Sequence, residues 1–379
     1  MSTNLPGFAA RAREVWCRFN TGSQNTACFY PIFWYCIREA YYLESCRKAG
    51  TSMIESSTTT LAPSSPFPVP ATAALGQLSN PGGSVYEQIT SRIIALLQAG
   101  TVPWRKPWNT KTGWPRNLVS TKPYRGVNVL LLHAMQYQSP FWLTFRQAQE
   151  LGGHIRKGEK ATPVVFWKSF NSAKPGEAEP FKKPELTPEP NRRRMMARMY
   201  WVFNESQCEN LKNIPPVSTQ MGTLAAPMAI VENMPKRPDI KYGLRSAFYS
   251  PSGDFVGMPS REVFSSEDAF FTTIYHELVH ASGHATRLNR PTLTESQGFG
   301  SDPYCKEELI AEMGAAFLCG HAGIVESTIT NSAAYVQSWL GKLQNDKSLI
   351  VSAAAQAQHA ADFILGMTHE SSSSPEGVE

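Results

Sequence analysis

Two histidines and a glutamate give this 379-residue chain its most direct indication of chemistry. His276 and His280 lie four residues apart in the segment IYHELVH, and Glu277 follows the first of them. Residues four apart on an α-helix lie about one turn along the same face, so both imidazoles can reach one metal ion. This HExxH spacing predicts Zn²⁺, or another divalent ion such as Mn²⁺, with Glu277 placed to take a proton from the attacking water. The competing interpretation is an ordinary helix with two surface histidines.

A third ligand is needed to complete such a site, and the residues directly downstream offer it poorly. Thr286 occupies the position at which metzincins have their third histidine. His284 lies one turn beyond His280, but Gly283 is expected to end or loosen the helix there. The third ligand is therefore expected further along the chain.

A second helix, predicted over residues 306–318, offers a better third ligand. Its apolar residues recur at helical spacing. Its segment ELIAE is similar to the pattern that gluzincins carry on their second metal-binding helix. That resemblance implies Glu308 as the ligand and Glu312 as the carboxylate that orients a ligand imidazole. Glu307 is the competing candidate and is expected to point to solvent.

The neighbouring elements are expected to hold the motif against a small sheet. The HExxH helix has an apolar face formed by Ile274, Leu278 and Ala281. Upstream, residues 246–259 are typical of a β-hairpin around the turn SPSGD. In zincins an edge strand lies above the metal and binds extended peptide by strand addition, so a protein or peptide substrate is a candidate partner.

Charge divides the chain into two parts of opposite sign. Residues 86–212, which we call the basic half, hold 20 Lys and Arg against 9 Glu and no Asp. Residues 213–379, the acidic half, hold 10 Lys and Arg against 18 acidic residues. A basic block of this size predicts a polyanionic partner, although a solvated basic face needs none.

Cations alternate with aromatic residues in the basic half, which favours single-stranded nucleic acid as the partner. Lys and Arg follow phosphates in such sites, while aromatic faces stack on exposed bases at ~1–3 kcal/mol each. No zinc-finger or leucine-zipper spacing and no clear helix-turn-helix is present. Trp167 and Trp201, inside apolar strands, are predicted to be core. The predicted DNA contacts are Trp104, Arg105, Lys106, Trp108, Trp114, Arg116, Asn117, Tyr124, Arg125, Asn128, Arg156, Lys157 and Lys160.

Composition marks the expected boundaries. Stretches rich in Ser, Thr, Pro and Ala precede residue 85 and separate the two halves. Helical and strand-like segments predict an α+β fold, with a mainly helical second domain that carries a small β-sheet. The resemblance of its second helix to gluzincins implies that this domain is zincin-like, of gluzincin type. The predicted segments are a disordered or accessory extension with linker (1–84), an ssDNA-binding domain (85–212), an interdomain linker (213–228), a zincin-like metallopeptidase domain (229–366) and a disordered tail (367–379).

The composition does not favour a membrane or disulfide-rich protein. The longest near-apolar run, residues 28–37, is half of the ~20 residues that a membrane-spanning helix needs. We predict no membrane partner, no signal peptide and a cytoplasmic location, because no basic start leads into an apolar core and cleavage site. Seven cysteines without a CxxC pair favour reduced thiols.

Taken together, these segments resemble the ArdC-type antirestriction proteins of conjugative plasmids. The matching text includes VYEQITSRIIALLQAGTVPWRKPW, GWPRN, KPYRGVN, FWLTFRQAQELGGHIRKGEK, IYHELVHASGH and EELIAEMGAAFL, within about 85–366. The resemblance implies an N-terminal single-stranded-DNA-binding domain, a C-terminal zincin-like metallopeptidase domain, and protection of incoming plasmid DNA during conjugation. The alternative is a DNA-tethered zinc metallopeptidase whose main role is cleavage of a protein substrate.

Overall fold

The structure is a computed structural model that describes residues 83–104, 113–170, 194–212, 226–295, 302–324 and 333–367. Three of the predicted DNA contacts, Arg105, Lys106 and Trp108, lie outside these residues. The predicted N-terminal extension up to residue 82, most of the interdomain linker and the tail beyond residue 367 also lie outside them.

The described part of the basic half contains three α-helices, one short 3₁₀ helix (Glu205–Gln207) and six strands. These are α1 (Val85–Gln98), α2 (Val127–Ala134), α3 (Phe145–Glu150), β1 (Arg116–Asn117), β2 (Phe141–Leu143), β3 (His154–Ile155), β4 (Thr162–Phe170), β5 (Arg194–Asn204) and β6 (Cys208–Glu209). A capping box starts α1, in which the Ser84 hydroxyl accepts from the Glu87 N–H and the Glu87 carboxylate accepts from the Ser84 N–H. The helix ends before Gly100, whose φ of +76° favours a residue without a Cβ.

A long antiparallel ribbon dominates the sheet of the basic half. Strands β4 and β5 pair from Thr162↔Val202 to Phe170↔Arg194. Strand β5 also pairs with β2, and β2 runs parallel to β1, which gives the order β1-β2-β5-β4. The apolar strands predicted around Trp167 and Trp201 lie within this ribbon.

The described part of the acidic half is mainly helical, with one small sheet. Its elements are α4 (Pro227–Glu232), α5 (Glu267–Ser282), α6 (Pro291–Thr294), α7 (Asp302–Ala322), α8 (Ala333–Asn345), α9 (Leu349–Ile364), β7 (Asp239–Lys241), β8 (Phe248–Ser250) and β9 (Phe255–Gly257). The sheet order is β7-β9-β8, and β8 and β9 form the hairpin predicted over 246–259. The α+β class with a mainly helical second part is confirmed.

The two halves share one hydrophobic core within the described residues. Trp104 of the basic half is fully buried, donates from Nε1 to the Glu312 carboxylate at 3.0 Å, and meets Trp339 edge-on with 6.1 Å between ring centroids. Arg125 forms an ion pair with Asp362 of α9. The basic and acidic halves are therefore joined by a packed interface that uses some of their opposite charge.

Two further features of the described residues bear on the sequence predictions. Cys208, Cys305 and Cys319 are free thiols. None of the described helices combines the length and the apolar character that crossing a membrane requires. The cytoplasmic location stays a prediction.

Candidate metal centre

Helices α5 and α7 pack closely and carry the predicted metal ligands. The Ser266 hydroxyl caps the start of α5, and the helix ends at Ser282. Gly314 of α7 lies directly against Val279 of α5: a Cβ at position 314 would come within 2.7 Å of the valine side chain. Only glycine allows this close approach, which holds the α7 segment that carries Glu308 against the histidine helix.

The side chains of His276, His280 and Glu308 converge on one point. The two Nε2 atoms are 3.1 Å apart, and the Glu308 carboxylate lies 3.5 Å from Nε2 of His276 and 3.7 Å from Nε2 of His280. One ligand atom from each residue lies within 4.8 Å of the others. Bonds of about 2.0–2.2 Å in a tetrahedron separate ligand atoms by about 3.3–3.6 Å, so this donor set fits a divalent ion with little rearrangement.

The cluster is reachable from solvent. The side chains of His276 and Glu308 are 20% and 17% exposed. Within the described residues, no fourth His, Cys, Asp or Glu belongs to the group. His284, the weaker sequence candidate, lies beyond the end of α5, with Nδ1 2.9 Å from the Thr286 hydroxyl. Three protein ligands and an accessible fourth position are typical of catalytic rather than structural zinc sites.

The carboxylates of Glu307 and Glu308 favour positive charge on the groups of this cluster. Burial opposes the charged form of Glu308, but hydrogen bonds from His276 and the Tyr304 hydroxyl, together with the imidazole charges, lower its pKa to about 2. Burial also opposes a protonated His280, but the hydrogen bond to Glu307 and the neighbouring carboxylate charges raise its pKa to about 9. A divalent ion would supply the positive charge that protons otherwise supply here.

Glu277 lies beside the ligands in a position suited to proton transfer. It is 9% exposed, and burial raises the pKa of its carboxyl, with the charges of His276 and His280 partly offsetting that rise. The backbone N–H of Tyr249, in the edge strand β8, also opposes that rise in pKa. A raised pKa brings a carboxylate closer to neutral pH, where a general base works best.

Glu307, which was predicted to point to solvent, is instead a buried carboxylate in contact with the His280 ring. Glu307 is 3% exposed, and its Oε1 lies 3.2 Å from Nδ1 of His280. The buried guanidinium of Arg290 donates to both Glu307 oxygens, at 2.5 and 3.1 Å. The imidazole-orienting role predicted for Glu312 is therefore filled at His280 by Glu307, because Glu312 accepts from the indole of Trp104 instead.

The helical spacing of α7 contained a signal for this role. Glu307, Ile310, Ala311 and Gly314 recur at i, i+3, i+4 and i+7, and all four are buried. A carboxylate in such a stripe requires a buried partner. Its partner, Arg290, precedes it by 17 residues, a separation that no local spacing rule identifies.

Four residues predicted to contact DNA are instead parts of the interior. Trp104, Asn117, Tyr124 and Asn128 are 0%, 7%, 5% and 4% exposed. The Asn128 amide donates to the Val165 carbonyl and accepts from the Val165 N–H, both at 2.7 Å, which ties α2 to the ribbon. These four predictions are wrong, because polar and aromatic groups that are committed to the interior cannot contact a bound strand.

Three further predicted contacts are half-buried. The Trp114 indole donates to a backbone carbonyl at 2.8 Å, and its ring lies 4.7 Å from that of His321 in the acidic half. Arg125 is paired with Asp362. Arg116 lies half-buried beside Trp114. Trp114 and Arg125 thus contribute to the contact between the halves.

The charged turn that leads into β4 remains open to solvent. Arg156, Lys157 and Lys160, all predicted DNA contacts, are exposed there. Trp201 on β5 is 39% exposed, so its predicted place in the core is wrong, whereas Trp167 is partly buried and packs against the core. Among the predicted DNA contacts that the structure describes, the exposed ones are therefore the three cations of this turn.

Two family models match the chain, one in each half. The N-terminal domain of anti-restriction factor ArdC matches residues 83–203. A zincin-like metallopeptidase family matches residues 230–356.

Two known proteins are similar to this chain over 74% of its length. An uncharacterized protein, y4eC, of Sinorhizobium fredii is 36% identical over 289 residues, which are 74% of this chain and 91% of that protein. The DNA primase TraC of Escherichia coli is 35% identical over 295 residues, again 74% of this chain. The chain spans only 27% of the length of that primase.

Solved structures of one antirestriction protein are also similar. The metal-free crystal structure of ArdC from plasmid R388 is 34% identical, with a TM-score of 0.58, and the match covers 76% of this chain and all of that one. The Mn(II)-bound structure of the same protein is 35% identical, with a TM-score of 0.56, and the match covers 75% of this chain and 98% of that one.

Proposed function

This chain belongs to the family of ArdC-type antirestriction proteins, and we propose that it binds single-stranded DNA and protects incoming plasmid DNA during conjugation. The proposal adds a divalent metal centre in the acidic half. The observation that carries the metal centre is the convergence of His276, His280 and Glu308 within 4.8 Å.

The basic half supports the DNA-binding part of the proposal. Its excess of Lys and Arg over Glu attracts a polyanion, and most of it lies in the part of the chain that matches the ArdC N-terminal domain. Lys157 and Lys160 present their charges to solvent on a turn next to the ribbon. Such exposed cations can follow a flexible phosphate backbone.

We propose Zn²⁺ as the ion, with Mn²⁺ as the alternative. Two imidazole nitrogens and one carboxylate suit zinc, and manganese is bound in a similar solved structure. A divalent ion held by these residues would supply Lewis acidity. The chain itself contributes Glu277 as the group that accepts a proton from water, Glu307 as the group that fixes the His280 ring, and the Tyr304 hydroxyl as a donor to Glu308.

A DNA-tethered metallopeptidase is the second candidate function. The observation that favours it is the edge strand β8, which packs against the helix that carries Glu277. An edge strand at that place could align an extended peptide beside the general base. In this alternative, cleavage of a protein partner is the main task and DNA binding only localises it.

Binding to single strands is the direct test of the main proposal. The full chain is expected to bind a labelled 20-nucleotide single strand at least about tenfold more tightly than the matching duplex, because stacking requires unpaired bases. The logarithm of affinity should fall with the logarithm of salt concentration by about 0.7 per phosphate contact. Fluorescence anisotropy at several salt concentrations measures both. Equal affinity for the two forms, or no binding, refutes the proposal.

The substitution Glu277→Gln separates DNA protection from catalysis. A general base contributes about 10²–10⁴-fold to its reaction, so protection that needs catalysis should collapse, whereas protection through DNA binding should stay within about twofold. We expect the second outcome. The measurement is the transfer of unmodified plasmid into a restricting recipient. Glu267→Gln, at an exposed position of the same helix, is the matched control. If only Glu277→Gln loses protection while it folds and binds DNA, the metallopeptidase function is the main one.

A further inference from the structure

A small pocket opens on the basic half between α1, α2 and the start of β4. Its walls include Arg92, Tyr137, Gly158, Lys160, Thr162 and Pro163, and its volume is about 180 Å³. None of the wall residues is a predicted metal ligand, and only Lys160 is among the predicted DNA contacts. The pocket is therefore separate from the metal centre.

Arg92 places a buried cation at this pocket without a compensating anion. It is 5% exposed, and its Nε has no hydrogen-bond partner. Among the described residues Arg92 forms no ion pair. Its Cζ lies over the ring of Trp201, 5.4 Å from the ring centroid. Burial lowers the pKa of Arg92, and no neighbouring carboxylate raises it. A buried cation is costly unless it is paired, which suggests that its partner is a ligand.

Thr162 adds a second unused polar group to the same wall. It is 3% exposed, and its Oγ1 has no hydrogen-bond partner. Arg92 and Thr162 both line this pocket, and a threonine hydroxyl and a guanidinium N–H can each donate to an anionic oxygen. The two groups lie on different elements, α1 and β4, so the fold rather than local sequence brings them together.

The acidic residue of the pocket does not supply the missing anion. Both oxygens of the Glu159 carboxylate are engaged, one by Arg156 at 2.7 Å and one by the Gln207 amide at 2.9 Å. Those hydrogen bonds lower the pKa of Glu159, so it keeps its charge in that network. Lys160 lies next to it and is exposed at the mouth of the pocket, where it adds positive charge.

The size of the pocket and its surroundings restrict the ligand. Its volume is below the roughly 300–1,000 Å³ of ordinary small-molecule sites, which leaves room for a phosphate group but not for a whole nucleotide. Trp201 pairs with Pro163 across the ribbon, beside the pocket, and is 39% exposed. An exposed indole next to a phosphate site offers a surface on which a base can stack.

We propose that this pocket binds one backbone phosphate of single-stranded DNA through Arg92, Thr162 and Lys160, while Trp201 stacks on an adjacent base. The inference rests on the proposed function and names where the strand is held. In this proposal the base stacks on the exposed Trp201, which lies beside unpartnered donors, and not on the buried Trp104 or Tyr124.

The substitution Arg92→Met tests this site in the full chain. The dissociation constant for the 20-nucleotide strand is expected to rise about 10- to 100-fold, because a charge-assisted hydrogen bond is lost. The salt dependence should weaken by about 0.7 in slope, which corresponds to one phosphate contact. The melting temperature is expected to stay the same or rise, because removal of an unpaired buried cation relieves a desolvation cost.

Matched variants distinguish this site from general effects of charge. Arg146→Met removes an exposed cation that is paired with Glu150 and should change affinity by less than about threefold. Thr162→Val should weaken binding about 3- to 10-fold while keeping every charge. Trp201→Phe should retain more affinity than Trp201→Ala, because a benzene ring still stacks. The mononucleotide dTMP should bind at least about 100-fold more weakly than the strand, because it lacks the other phosphate contacts.

The outcomes separate the pocket from the proposed function. Wild-type affinity and salt slope in Arg92→Met, with single-strand binding intact in the parent chain, overturn the pocket and leave the proposed function standing. Failure of the parent chain to prefer single strands removes the proposed function and the pocket together. If Arg92→Met unfolds at a clearly lower temperature, Thr162→Val decides: normal affinity in that variant overturns the site. Equal affinity for dTMP and the strand assigns the pocket to free nucleotides and overturns the proposal.

Discussion

Replacing Glu308 with glutamine is expected to lower the affinity for Zn²⁺ or Mn²⁺ on the order of 100- to 1,000-fold. Four-ligand zinc peptides bind with about 10–16 kcal/mol, or roughly 2.5–4 kcal/mol per ligand, and the variant exchanges a charged ligand for a neutral one of the same shape. The carboxylate of Glu308 lies 3.5 and 3.7 Å from the two histidine Nε2 atoms. The loss of this one ligand is therefore enough to lower the metal affinity. Competition titration against a chromogenic chelator measures the affinity.

Glu312→Gln is the matched control for this experiment. It lies one turn further along α7, and its carboxylate accepts from the Trp104 indole, a role that a glutamine oxygen can keep. Its metal affinity is expected to remain within about threefold of the parent protein, since it loses no ligand. Equal losses in the two variants would show that Glu308 is not a ligand and that the affinity reflects the charge of the helix as a whole.

The metal site could be predicted from sequence because most of its geometry is local. A spacing of four residues fixes His276 and His280 on one face of a helix, whatever the rest of the fold is. Glu308 could be predicted as a ligand only through the resemblance to gluzincins, because its distance from the histidines depends on how two helices pack. Glu307 was misplaced for the same reason: its partner, Arg290, comes from a different segment, and only the packed structure brings the two together.

The DNA contacts were harder to predict because one composition serves two physical purposes. Cations beside aromatic residues are typical of single-strand sites, but they are equally suited to an interface with an acidic partner domain. In this chain that partner is the acidic half: Trp104 donates to Glu312 and Arg125 pairs with Asp362. Charge asymmetry therefore predicted a polyanionic partner, while part of the complementary charge was in the same chain.

The opposite error at Trp201 has a related cause. An aromatic residue in an apolar, alternating strand is usually core, but alternation does not indicate which face another element covers. Strand β5 leaves Trp201 39% exposed, with Arg92 near its ring. Both errors come from burial, which depends on contacts between segments far apart in sequence.

The buried pair of Glu307 and Arg290 leads to the second large effect. Glu307→Gln is expected to lower the free energy of unfolding by about 3–5 kcal/mol, because it leaves the Arg290 guanidinium buried without an opposing charge. Both side chains of the pair are about 5% exposed or less, so solvent cannot replace the lost carboxylate. Urea unfolding, followed by circular dichroism in the presence of chelator, measures the change.

Acid sensitivity gives this prediction a second readout. Burial opposes the charge of Glu307, but hydrogen bonds from His280 and Arg290 outweigh it and lower its pKa to about 2, below its ordinary value of 4.5. A depressed pKa means that the carboxylate contributes stability above about pH 4.5, and that this contribution is lost as the pH falls towards 2. The parent protein should lose stability across that window, and Glu307→Gln should lose less of it.

A double substitution separates the stabilising role of this pair from its role at the metal. Arg290→Met combined with Glu307→Leu removes both charges and should recover most of the stability lost in Glu307→Gln, because a buried pair can be replaced by apolar groups at little cost. Metal affinity should nevertheless stay about 10- to 100-fold below that of the parent, because Nδ1 of His280 still lacks the carboxylate that fixes the ring. Recovery of stability and metal affinity together would show that Glu307 acts on the metal centre only through the fold. Recovery of stability alone identifies it as the residue that positions His280.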